Sequence, residues 1–119
     1  MASLFGAPRV TPDPVFLVNA GVPISDTKPY TTVVQIPPNI IADGSGQLSI
    51  RNVHPTATMY FKWVQLGESS NFAIGDAGIV LPAGVGWDTR LPPPGKALVG
   101  QSTVNGAICS LEVEARLRV

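Results

Sequence analysis

The sequence predicts an all-β domain: a single antiparallel β-sandwich or jelly roll of seven to eight strands, preceded by an extended proline-rich arm. Three observations predict it. Residues 107–119 alternate, with Ala107, Cys109, Leu111, Val113, Ala115, Leu117 and Val119 small or apolar and Ser110, Glu112, Glu114, Arg116 and Arg118 polar between them. That period of two is the signature of a strand with one buried and one wet face. The chain carries 12 Pro and 12 Gly in 119 residues, grouped into turn clusters at the short spacing typical of all-β folds. No segment shows helical periodicity.

The elements follow in order. Pro8, Pro12, Pro14, Pro23, Pro29, Pro37 and Pro38 all precede residue 40. Proline fixes φ and donates no hydrogen bond, so this part of the chain is barred from central strands over most of its length. Residues 1–14 carry only Arg9 and Asp13 as charges and include Leu4, Phe5 and Val10. They are expected to form an extended arm that hides its apolar side chains on another surface, against the alternative of a frayed terminus. Residues 15–119 form the sandwich.

Within the sandwich, residues 15–19 read as a short strand closed by a turn at Asn19-Ala20-Gly21. Residues 30–36 are rich in aromatic and β-branched side chains and stop at Pro37-Pro38. Gly44-Ser45-Gly46 turns the chain into a strand over 47–53, with Leu48 and Ile50 on one face. His54-Pro55-Thr56 leads into a strand over 57–66, with Met59, Phe61 and Trp63 opposed to Tyr60, Lys62 and Val64. These two strands are expected to pair as a hairpin at the centre of the fold. Short strands at 79–81, 86–91 and 97–101 are separated by Pro82-Ala83-Gly84 and Pro92-Pro93-Pro94-Gly95, while residues 72–74 are too short to classify. Trp87, Thr89 and Leu91 would share a face. Asn105-Gly106 is the strongest hairpin signal in the chain, because that dipeptide accepts positive φ at both central positions.

Composition narrows the function. Hydrophobic residues make up 45% and charged ones only 13%, about half the usual share. A surface so poor in charge suits a tight assembly, although an extracellular sandwich has a similar composition. Eight acidic and eight basic residues leave no electrostatic footprint for nucleic acid. Cys109 is the sole cysteine, expected to be a small buried hydrophobe. No run approaches a membrane span, and residues 1–6 lack the basic start and apolar core of a signal peptide. Synthesis in a reducing cytosol is expected, with no membrane partner.

The side chains that carry chemistry are sparse. His54, the only histidine, sits between two strands with no nucleophile at a motif spacing, and reads as a turn residue. Nothing matches zinc or calcium ligation. The Gly75-Asp76-Ala77-Gly78 and Gly44-Ser45-Gly46 clusters are turns, since neither opens a helix that would cradle phosphate. An acid–base pair of Asp76 and Asp88 is disfavoured, because Asp is common in loops for backbone reasons. Trp63, Trp87, Tyr60 and Phe61 lie on alternating strands and read as core rather than as a stacking platform for sugars or bases. No catalytic, cofactor-binding or metal-ligating residue is expected, and no enzymatic activity. Glu112, Glu114, Arg116 and Arg118 read as a solvated face, a subunit contact, or protection of an edge strand.

From Leu48 onward the order of features resembles a family of small bacteriophage virion proteins. The matching segments are Arg51-Asn52-Val53, the aromatic strand Thr58-Met59-Tyr60-Phe61-Lys62-Trp63-Val64 and the loop starting Leu66-Gly67-Glu68-Ser69-Ser70. They continue with Ile79-Val80-Leu81-Pro82-Ala83-Gly84, Pro92-Pro93-Pro94-Gly95, Ala97-Leu98-Val99-Gly100 and Gly106-Ala107-Ile108-Cys109-Ser110-Leu111-Glu112-Val113. The resemblance implies a β-sandwich accessory protein of the virion. Several members are capsid decoration (cement) proteins, often trimers seated where capsomers meet. It implies a location on the capsid surface, the major capsid protein as partner, and a homo-oligomer, with a trimer favoured. Residues 1–40 take no part in the resemblance. There the chemistry alone nominates Leu4, Phe5, Arg9 and Val10 as partner-binding. Fully extended, residues 1–14 span on the order of 45 Å. The rivals are a tail, baseplate or head-fibre component that binds host glycans, a cellular carbohydrate-binding module, and an enzyme.

Overall fold

The computed structural model describes residues 14–118. Eight strands lie among them: β1 (Val15–Ile24), β2 (Thr31–Gln35), β3 (Gln47–Asn52), β4 (Met59–Gln65), β5 (Ile79–Leu81), β6 (Gly86–Thr89), β7 (Lys96–Ser102) and β8 (Ala107–Arg116). One turn of 3-10 helix at Ile74–Asp76 interrupts the long connection between β4 and β5. The strands form two four-stranded sheets ordered β1-β8-β3-β6 and β2-β7-β4-β5, antiparallel throughout. This is the double-sheet jelly roll, the second of the two expected architectures.

Its pairing scheme is nested. β1 pairs with β8, β2 with β7, β3 with β6 and β4 with β5, so the chain doubles back once, after β4, and the resulting ribbon wraps into two layers. Backbone bonds carry the ribbon around each change of sheet. Ser102 N–H donates to the Ser25 carbonyl at 3.0 Å, and Ile36 and Lys96 meet at 2.8 Å through Ile36 N–H. Asn52 and Val85 meet at 3.0 Å through Asn52 N–H.

Nesting overturns two expected hairpins. β3 and β4 lie in opposite sheets, so residues 53–58 form a corner rather than a hairpin turn. β7 and β8 are likewise divided, although Asn105-Gly106 lies between them. Only Gly106 there has a positive φ, 78°, and no non-glycine residue does among those described. Gly106 N–H donates to the Ile24 carbonyl at 2.8 Å, and the Asn105 side chain accepts from Asp26 N–H at 3.3 Å. The dipeptide thus clamps the β7–β8 corner onto the β1–β2 corner.

Two boundaries also differ from expectation. β1 runs through Asn19-Ala20-Gly21 without turning, because its whole length pairs with β8, from Val15 opposite Arg116 to Ile24 opposite Ala107. Pro23 is tolerated because β1 is an edge strand among the described residues. β6 ends at Thr89, leaving Leu91 exposed beyond the sheet rather than sharing a face with Trp87. Among the described residues, β1 and β2 are both edges, as expected of the proline-rich first third.

The core lies between the sheets. Ile24, Ile36, Ile40, Leu48, Ile50, Met59, Phe61, Leu98, Cys109 and Leu111 are almost completely buried. A shift of register between Thr32 and Val34 lets both Val33 and Val34 be buried. Gly100 stands directly opposite Phe61, and a Cβ there would lie 2.7 Å from the phenyl ring. The glycine makes room for the aromatic ring.

The two outer faces differ. On β7 the register directs Ala97 and Val99 outward, yet both are buried. The Phe72 ring, from the connection that follows β4, meets Tyr30 beside β2 edge-on, with centroids 5.1 Å apart. β2 and β4 flank β7, so this connection lies over the outer side of the second sheet. The first sheet presents its outer face to solvent.

Candidate functional surface

His54, Asn52, Cys109, Asp88 and the two tryptophans each have a structural role. At the β3–β4 corner the inward alternation of Leu48 and Ile50 continues to Asn52, which is fully buried. Its amide donates to the carbonyls of Ala57 (2.7 Å) and Leu81 (2.9 Å), and its oxygen accepts from His54 N–H at 3.0 Å. His54 extends the same corner, its Nδ1 accepting from the backbone N–H of Thr56 (3.1 Å) and Ala57 (2.9 Å). A ring nitrogen holding two backbone amides acts as a turn cap, as the sequence suggests.

Cys109 is buried on the inner face of β8, and burial pushes its thiol up to about 11. Trp63 and Trp87 are partly buried and pack against the core, as expected. Phe61 is wholly buried beneath Gly100. Asp76 sits in the 3-10 turn, whereas Asp88 lies on β6 of the other sheet and accepts from the Ser49 hydroxyl. Their placement on separate elements, one of them engaged by Ser49, is that of loop and sheet residues. Among the described residues, no group of three or more His, Cys, Asp and Glu side chains is placed to hold a metal ion. No helix among them is long and apolar enough to cross a membrane.

The charged row resolves differently from one of its three readings. β8 is paired on both sides, by β1 and β3, so Glu112, Glu114 and Arg116 do not protect an edge. Arg116 pairs with Asp43. Hydrogen bonds from the Ser45 hydroxyl and amide, aided by the Arg116 guanidinium, hold the Asp43 carboxyl below the ordinary carboxylate range. Across the sheet the register aligns Asn19, Glu112, Ser49 and Asp88 in one outward row, with Leu17, Glu114 and Gln47 in the next. Two shallow adjoining depressions, 230 and 460 Å³, share Gln47, Ser49 and Glu112. Their lining is mixed, with Leu17, Val18, Leu48 and Val113 beside the polar groups, and carries no aromatic side chain.

The exposed apolar groups are elsewhere. Leu17 is 66% exposed and Val15 44%, both on the outer side of β1. Val53, Val104 and Ile108 border a 320 Å³ depression at the corner end of the sandwich. Leu4, Phe5, Arg9 and Val10, the nominated partner-binding residues, lie outside the described residues. Sequence reasoning missed Asn52 and the full length of β1. A polar residue at an inward position of an alternating strand was the available signal for the first.

Comparison with known protein families, curated proteins and solved structures finds no match.

Proposed function

We propose that this chain is a structural protein of a bacteriophage virion, a capsid decoration (cement) protein that stabilises the shell by bridging neighbouring capsid subunits. The observation that carries the reading is that His54, Cys109, Asp88 and both tryptophans are all engaged in holding the jelly roll together. What the molecule offers a partner is surface: a charge-poor exterior, an apolar outer side of β1, and an apolar arm leading into it. Jelly rolls serve viral capsids, lectins and cupins alike, so the fold alone does not choose among them. The feature order from Leu48 onward favours the virion, and a non-enzymatic role on the capsid surface follows, with the major capsid protein as partner and self-association alongside.

Apolar contact repeated at every seam raises the barrier to rupture under internal DNA pressure. The glycan-binding rival predicts a tryptophan free in a groove, and Trp63 and Trp87 pack on the core instead. The test is to heat DNA-filled shells with and without the protein and follow DNA release. Decorated shells are expected to retain DNA to a higher temperature; equal release temperatures with the protein bound, or no binding to shells at all, refute the reading.

A further inference from the structure

We infer that Asn105-Gly106 is a latent self-modification site, kept unreacted by the clamp between the β7–β8 and β1–β2 corners and released when that clamp opens. The asparagines of the chain are followed in turn by Ala20, Ile40, Val53, Phe72 and Gly106. Only Asn105 precedes a residue with no Cβ to shield its backbone nitrogen. That nitrogen, once it loses its proton, attacks Asn105 Cγ. A C–N bond forms, the side-chain nitrogen takes up a proton and leaves as ammonia, and a succinimide ring results. Water opens the ring at either carbonyl, giving aspartate or isoaspartate, the latter with its backbone running through the side-chain carbons. Water is the sole co-reactant. Asp43-Gly44 has the same glycine neighbour but no ammonia to lose.

The fold controls each participant in the reaction. Asn105 and Gly106 are both exposed, so water reaches the dipeptide. The attacking nitrogen is withheld. Gly106 N–H donates to the Ile24 carbonyl at 2.8 Å, and solvent base removes that proton only after the bond opens, the same condition that governs hydrogen exchange. The target carbon is held too, because Asn105 Oδ1 accepts from Asp26 N–H at 3.3 Å and resists swinging onto Gly106. Both restraints come from the β1–β2 corner, distant in sequence. The bond from Ser102 N–H to the Ser25 carbonyl, 3.0 Å, ties the same two corners. Within the β1–β2 corner, Ser25 N–H donates to Thr31 Oγ1 at 2.9 Å. Reaction at residue 105 therefore reports separation of the two corners. An isoaspartate adds a methylene to the backbone beside Gly106 and moves its N–H off the Ile24 carbonyl. The clamp does not re-form, so a copy that has opened stays marked.

The inference is independent of the capsid reading. The full chain is held in mildly alkaline buffer, folded or in urea, and aspartate and isoaspartate at position 105 are followed by peptide mapping and mass spectrometry. Exchange of the Gly106 amide is followed by NMR in the folded sample. Modification is expected in urea and should be at least about tenfold slower in the folded chain, in step with Gly106 exchange. Thr31→Ala, which loosens the β1–β2 corner without touching the dipeptide, should speed exchange and modification together in the folded chain and leave the rate in urea unchanged. Where its exchange stays at the parent rate, urea below the unfolding transition supplies the loosening, and the same criterion applies. An unreactive unfolded chain, equal rates folded and unfolded, or faster exchange without faster modification overturns the inference. The isoaspartate form should melt below Asn105→Asp; equal melting would refute the lasting mark.

Discussion

Replacing Asn52 by alanine removes the tie that holds three backbone groups at the β3–β4 corner. Two of them, the carbonyls of Ala57 and Leu81, sit in buried residues. The third, His54 N–H, lies in a half-buried turn where water can replace the lost partner. Each orphaned buried group costs about 1–3 kcal/mol, and the emptied volume adds to that, so a loss of about 3–4 kcal/mol is expected. That is a third or more of the stability of many domains of this size. Urea unfolding followed by tryptophan fluorescence measures it: the midpoint should fall by about 2 M at unchanged m. Asn52→Leu separates hydrogen bonding from space filling, because it restores volume without donors and should remain destabilised by about 2 kcal/mol or more. A loss below about 1 kcal/mol in both variants would refute the view that this amide secures the corner.

Other substitutions probe the core and the corners. Gly100→Ala places a Cβ 2.7 Å from the buried Phe61 ring and should lower stability by about 1–3 kcal/mol in thermal unfolding. Combining it with Phe61→Leu should cost less than the sum of the two, since the ring that clashes is gone. Gly106→Ala forces an L side chain to a φ of 78° and should cost about 1–2 kcal/mol, read from the same melts. The Cys109 thiol should resist a thiol reagent in the folded protein and react at once in denaturant. Its ionisation is raised from 9.0 to about 11, so the unfolded chain loses the proton first as pH rises. The neutral thiol's contribution is therefore full below pH 9 and lost between 9 and 11, a decline that Cys109→Ala should remove.

The strands were legible because burial writes a period of two into them. Leu48 and Ile50, Met59 and Phe61, and the alternation from Ala107 to Ala115 all point inward as read. The prolines barred the first third from central strands, and the two described strands there are edges. Pairing itself was not legible. A turn signal reports the local backbone, and a glycine with positive φ serves a change of sheet as well as a hairpin, so Asn105-Gly106 pointed to the wrong connection. Asn19-Ala20-Gly21 looked like a turn for the same reason, until ten consecutive partners on β8 kept it extended. Of the candidate chemistry, the turn role of His54 and the burial of Cys109 were readable from their neighbours. Asn52 was not, because its partners come from Ala57 and from Leu81, twenty-nine positions away.

The nested pairing also sets a timetable for synthesis. β8, the last of the described strands in chain order, is the one onto which both β1 and β3 must dock. Until Ala107–Arg116 leaves the ribosome, the uncharged β1 lacks its sheet partner and the β3–β6 pair has no link to it. The first sheet therefore closes only once β8 is available, and a nascent or shortened copy lacking it leaves the uncharged β1 without its partner.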